Sequence, residues 1–88
     1  PSQYKLEQNF PNPFNPTTRI RFELTKSGYT SLKIFDVMGR ELSSLVSTNL
    51  QAGKYEYEFN ASGLSSGVYF YELISGDFKA IKKLTLIK

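Results

Sequence analysis

The sequence predicts an all-β domain, an antiparallel Ig-like β-sandwich of roughly six to seven strands. Three observations point there. Several segments alternate apolar and polar residues with the period of two that marks a half-buried strand. Turn signals separate these segments at roughly 8–12-residue intervals, the spacing of sandwiches and barrels. No helical period of about 3.6 residues is sustained anywhere along the chain. At 88 residues there is room for one compact domain.

The elements follow in order. In Thr18 to Leu24, Ile20, Phe22 and Leu24 share one face and Arg19, Arg21 and Glu23 the other. Tyr29 to Asp36 repeats the pattern, with Leu32 and Ile34 inward and Phe35 on the outer face. Val37-Met38-Gly39-Arg40 reads as a turn, with Gly39 free to take a positive φ. Glu41 to Val46 fits neither period well, so strand and short helical turn both stay open there. Lys54 to Asn60 is clearer: Tyr55, Tyr57 and Phe59 face one way, Lys54, Glu56 and Glu58 the other. Val68 to Ile74 is almost continuously apolar, which suits a central strand covered on both faces. Ser75-Gly76-Asp77 supplies a tight hairpin into a last strand, Phe78 to Ile87, whose pattern slips at Lys82-Lys83 and predicts a bulge.

Residues 1–17 form a proline-rich extended lead-in, and residues 18–88 the sandwich itself. Pro11, Pro13 and Pro16 push the residues before them toward extended geometry and remove three backbone donors, which rules out a central strand. Leu6, Phe10 and Phe14 are its apolar anchors and are expected to lie across the sandwich and plug one edge or end. Pro1 in place of Met reads as the start of an excised or processed fragment, and Lys88 as a true terminus.

The chemistry is mostly exclusion. With no His and no Cys, a Ser-His-Asp triad, a Cys-His dyad, a histidine-ligated metal and disulfide staples are all ruled out. The core must come from packing, for which seven Phe and six Tyr supply the material. Glu56 and Glu58 stand about 7 Å apart along one strand face, the separation of some inverting glycosidases, but such pairs flank a deep cleft that this chain is too short to build. They read as a solvated outer face. Asp36, Asn60 and Asp77 end strands, where turns use Asp and Asn, and their spacing matches no calcium loop. Asn60-Ala61-Ser62 satisfies the glycosylation sequon, while Asn15-Pro16-Thr17 is barred by its proline. A net charge of +3 without a dense basic patch argues against nucleic acid. No cofactor or metal is implied, and no enzymatic activity. A sugar-stacking platform of exposed tyrosines competes with the core for the same rings, and tryptophan is absent.

Leu6-Glu7-Gln8-Asn9-Phe10-Pro11-Asn12-Pro13-Phe14-Asn15-Pro16, followed by Thr18-Arg19-Ile20-Arg21-Phe22, resembles the opening of the type A C-terminal sorting domains of the type IX secretion system. Asp36-Val37-Met38-Gly39-Arg40 is similar to that family's first hairpin, and Ser66-Gly67-Val68-Tyr69-Phe70-Tyr71-Glu72-Leu73 to its Gly-x-Tyr strand. Lys82-Lys83-Leu84-Thr85-Leu86-Ile87-Lys88 is similar to its terminal lysine-bearing strand. The resemblance runs in order from about Leu6 to Lys88, and departs at Phe59-Asn60, where many members carry Trp-Asp. Flagellar hook-capping proteins carry a similar Ig-like domain.

The resemblance implies an Ig-like sandwich that catalyses nothing and directs a larger cargo, the upstream part of the same chain, from the periplasm across the outer membrane to the cell surface or medium. Its implied partners are the type IX outer-membrane translocon and sortase. Its implied recognition residues are Gly67 and Tyr69 of the Gly-x-Tyr motif and the terminal Lys82, Lys83 and Lys88. Edge lysines also block sheet-to-sheet aggregation, and an exposed last-strand edge would accept a partner strand or weak self-association. The alternative is a structural, adhesive or carbohydrate-binding Ig-like accessory module of a secreted enzyme.

Overall fold

The computed structural model describes all 88 residues and contains seven strands in two sheets. They are β1 (Lys5–Leu6), β2 (Thr17–Leu24), β3 (Gly28–Phe35), β4 (Glu41–Leu50), β5 (Gly53–Asn60), β6 (Gly67–Ser75) and β7 (Phe78–Leu86). A three-stranded sheet in the order β1-β2-β5 faces a four-stranded sheet in the order β4-β3-β6-β7, and every strand pair is antiparallel. The Ig-like sandwich expected from the alternation is the fold observed.

The inward rows of each strand make one core. Ile20, Phe22 and Leu24 of β2 meet Leu32 and Ile34 of β3, Tyr71 and Leu73 of β6, and Leu84 and Leu86 of β7. Each such side chain, taken fully out of water, contributes roughly 1.5–3 kcal/mol before entropy is counted. On the small sheet Phe22 stacks on both Tyr55 and Tyr57, at centroid distances of 5.3 and 5.9 Å. The two-residue turn Gly76-Asp77 joins β6 to β7, with Gly76 at φ 57° where a Cβ would be strained.

One reading left open is decided and three expectations are corrected. Glu41 to Val46 is strand, part of the ten-residue β4. Its period was illegible because the register slips twice against β3, leaving Leu45 and Leu42 as extra residues. The bulge expected at Lys82-Lys83 does not form, since β7 pairs with β6 without interruption from Phe78 to Leu86. The apparent slip arises because Lys82 takes an inward-row position near the rim, where a long aliphatic stem fits and its ammonium reaches water. β6 is central in its sheet but covered on one face only, with Val68, Phe70, Glu72 and Ile74 left partly open on the other.

The third correction concerns Phe10. Leu6 and Phe14 are buried as expected, but Phe10 is 75% exposed. Its backbone bridges Arg19, which sets its side chain on the outer face with that arginine, and Asn9 turns inward instead. Asn9 Nδ2 donates to Thr18 Oγ1 (3.0 Å), and its backbone N–H donates to the Tyr71 hydroxyl (2.8 Å). The Tyr71 hydroxyl in turn donates to the Glu7 carbonyl (2.7 Å). Burial pushes the Tyr71 phenol up to about 12, so it stays a neutral donor near neutrality. Beyond Phe10 the lead-in crosses from one sheet to the other. Phe14 N–H donates to the Thr85 carbonyl and Ile87 N–H to the Phe14 carbonyl, both at 3.0 Å, while Asn12 Oδ1 accepts from Thr85 N–H. The lead-in is thus a strap that closes the slot between β2 and β7.

Candidate functional site

Gly67 opens β6 at φ 150°, outside the range comfortable for a side chain, although no atom stands where its Cβ would go. Backbone conformation, and not space, demands glycine there. Two residues on, the buried Tyr69 sends its hydroxyl back to donate to the Ser65 carbonyl at 2.6 Å, the bond of a tyrosine corner. The loop so pinned, residues 61–66, is also held by the chain's last residue. Lys88 N–H donates to Ser66 Oγ (3.0 Å) and Lys88 Nζ to the Ser62 carbonyl (2.8 Å). Gly67, Tyr69 and Lys88 therefore converge on one loop at one end of the sandwich.

The β3–β4 turn stands beside that loop. Asp36 Oδ1 accepts from the N–H groups of Met38 and Arg40, and its Oδ2 from Arg40 Nε at 2.8 Å. The Arg40 N–H, more than any other contact, holds the Asp36 carboxyl below the usual range. Gly39 takes φ 81° as the turn requires. With its polar groups spent internally, the turn presents Val37 and Met38, 68% and 77% exposed. Between turn and loop lies a cleft of about 450 Å³ lined by Val37, Met38, Leu42, Leu64, Ser66 and Tyr69. Two motifs some thirty residues apart in sequence form its two walls.

The remaining lysines do not join this end. Lys82 pairs with Tyr71 on the inward row, while Lys83 lies across from Phe70 on the outer face. Adjacent on a strand, they point to opposite faces. Six residues of strand put Lys82 roughly 20 Å from Lys88. The outer face near Lys83 holds a shallow apolar hollow of about 410 Å³ lined by Phe35, Val37, Phe70 and Ile81. Sequence reasoning missed it because it read the β6 outer row as covered.

A second feature was overlooked that the sequence did carry. Gly53-Lys54-Tyr55 repeats the Gly-x-Tyr arrangement, with Gly53 at φ 156° and the Tyr55 hydroxyl donating to the Gln51 carbonyl at 2.6 Å. The motif is a strand-opening lock used twice. The carboxylates weighed for acid-base work are placed otherwise. Glu56 pairs with Arg21 (2.6 Å) and Arg19 (3.7 Å), and the hydrogen bond from Arg21 draws its carboxyl below the usual range. A general acid needs the opposite shift. Asn60 Oδ1 caps the Ser62 N–H at 2.9 Å, the turn role expected of it.

Known structures share this architecture. A chain of PorZ, described as an essential bacterial surface component of the type-IX secretion system of Porphyromonas gingivalis, superposes with a TM-score of 0.64 at 20% identity. The match covers 99% of this chain and 12% of that one, so the domain spans only a small part of PorZ. CopC from Methylosinus trichosporium matches with a TM-score of 0.58 at 19% identity, over 96% of this chain and 93% of that one. At such identities both show the fold alone. No curated protein sequence matches the chain. The model of the family described as "Secretion system C-terminal sorting domain" matches residues 8–88, from the strap through the last lysine. The chain belongs to this family, the C-terminal sorting domains of type IX secretion.

Proposed function

We propose that this domain is a non-catalytic sorting signal that takes a larger cargo, the upstream part of its own chain, from the periplasm across the outer membrane to the cell surface or medium. The observation that carries this reading is the family match over residues 8–88, nearly the whole chain. The partners it calls for are the type IX translocon and its sortase. Gly67 and Tyr69 act by holding the loop that, with the Asp36–Arg40 turn, walls the end cleft. Lys82, Lys83 and Lys88 supply cations on three separate parts of the last strand and its end. An adhesive, sugar-stacking role has less support, because Tyr55 and Tyr57 are stacked on Phe22 and Tyr69 and Tyr71 are buried.

The lysine part of this reading is tested with a leader-bearing fluorescent protein fused ahead of residues 1–88. Lys82→Gln, Lys83→Gln and Lys88→Gln, combined, should leave the domain folded and protease-resistant but strand most of the fusion in the periplasm. Export unchanged by the triple substitution would remove the lysines from the recognition site. Deleting β7 is a poorer test, since Leu84 and Leu86 would leave the core with it.

A further inference from the structure

Phe10 carries the most exposed aromatic ring of the domain, yet its backbone is firmly held. Its N–H donates to the Arg19 carbonyl (3.0 Å), and its own carbonyl accepts from Arg19 N–H (2.9 Å). On one side of it, the buried Asn9 is tied to Tyr71 and Thr18. On the other, the Pro11 carbonyl accepts from Thr18 Oγ1 (2.8 Å) and Asn9 Nδ2 (3.2 Å). The ring is thus offered to water from a fixed platform, and little ordering is needed when something covers it. The register sets what surrounds it. Phe10 bridges Arg19, and Arg19 lies across from Glu58 of β5, so the three side chains stand side by side on the outer face. With Pro11, Asn15 and Thr17 they line a hollow of about 410 Å³, within the size range of small-ligand clefts.

The polar groups of the hollow narrow what it can hold. Thr18 is spent on the strap, and Arg21 and Glu56 on each other, while the side chains of Asn15, Thr17 and Glu58 bond to nothing in the domain. Arg19 stands 3.7 Å from Glu56, too far for a hydrogen bond. Two guanidinium groups are matched by two carboxylates, so neither an anion nor a cation gains from the hollow as a whole. A hydrocarbon would find only Phe10 and Pro11 as apolar walls, and would cover four polar side chains without bonding them. A pyranose matches both parts. Its C–H face suits the negative face of an aromatic ring, and its hydroxyls both donate and accept. We infer that this hollow binds a neutral saccharide, one pyranose stacked on Phe10, its hydroxyls donating to Glu58 and accepting from Arg19 and Asn15. No tyrosine takes part, so the commitment of those rings to the core does not count against it. The site shares no residue with the end cleft and is independent of the sorting reading.

The test titrates the whole 88-residue chain with cellotriose, mannotriose and triacetylchitotriose into the millimolar range, following backbone amides by NMR. Saturable shifts gathered at Phe10, Asn15, Arg19 and Glu58 with at least one of these trisaccharides are the expected result. Phe10→Ala should weaken that binding about tenfold while the amide spectrum elsewhere stays native, and Phe10→Tyr should retain it. Glu58→Ala should also weaken it about tenfold, the loss of one hydrogen bond to a charged group. No saturable binding of any of the three would overturn the inference. So would binding indifferent to Phe10→Ala, or tighter binding of trigalacturonic acid, adenosine or free phenylalanine than of every neutral trisaccharide.

Discussion

Removing the Tyr71 hydroxyl breaks two bonds at once, the one it donates to the Glu7 carbonyl and the one it accepts from Asn9 N–H. Both partners belong to the strap, and Asn9 is buried. Tyr71→Phe should therefore lower unfolding free energy by about 1–3 kcal/mol, the range for stranding buried polar groups, read as a lower urea midpoint. Acid acts at other residues. Asp36 and Glu56 both have folded-state values below their ordinary 3.8 and 4.5. The native state then binds fewer protons than the unfolded chain, so their contribution is present above the ordinary values. It is lost as pH falls through the depressed ones. Thermal melts should be flat from neutrality to about pH 5 and decline below about pH 4. Glu56→Gln combined with Asp36→Asn should flatten part of that decline.

At the scale of elements, the strap makes the sharpest contrast. Phe14 is buried and tilted against Phe59 at 6.2 Å, whereas Phe10, four residues earlier, stands in solvent. Phe14→Ala should cost about 3–5 kcal/mol as a core truncation. Phe10→Ala should stay within about 0.5 kcal/mol, as for an isolated surface change. Urea titration of the two variants would show it. The same pair shows how far the sequence could be read. Where a strand keeps strict period two, as β2 and β5 do, inward and outward rows were legible from the residues. The strap pairs with β2 at Leu6↔Phe22 and again at Phe10↔Arg19, one residue out of register, so parity counted across Glu7-Gln8 fails at Phe10. β4 hid for a related reason, because each bulge resets its parity. Lys82 misled because an inward-row position near the rim tolerates a lysine that a fully enclosed one would reject.

For the molecule as a whole, the fold was written in alternation and turn residues, whereas the site was legible only in pieces. Asp36-Val37-Met38-Gly39-Arg40 and Gly67-Val68-Tyr69 each announced a turn or a strand opening, but nothing local says that they wall one cleft. That follows from antiparallel pairing of β3 with β6, which sets Phe35 against Phe70. The lysines illustrate the converse: adjacent in sequence, Lys82 and Lys83 are divided between two faces. The sorting role rests on the whole domain being displayed in this form, and the location of a cargo tests it most directly. A leader-bearing fluorescent protein, alone or fused ahead of residues 1–88, is expressed in a host with a type IX system, and each fraction is assayed. The unfused protein should stay in the periplasm and the fusion should reach the surface or medium. A folded, protease-resistant fusion that stays in the periplasm with its unfused control would contradict it.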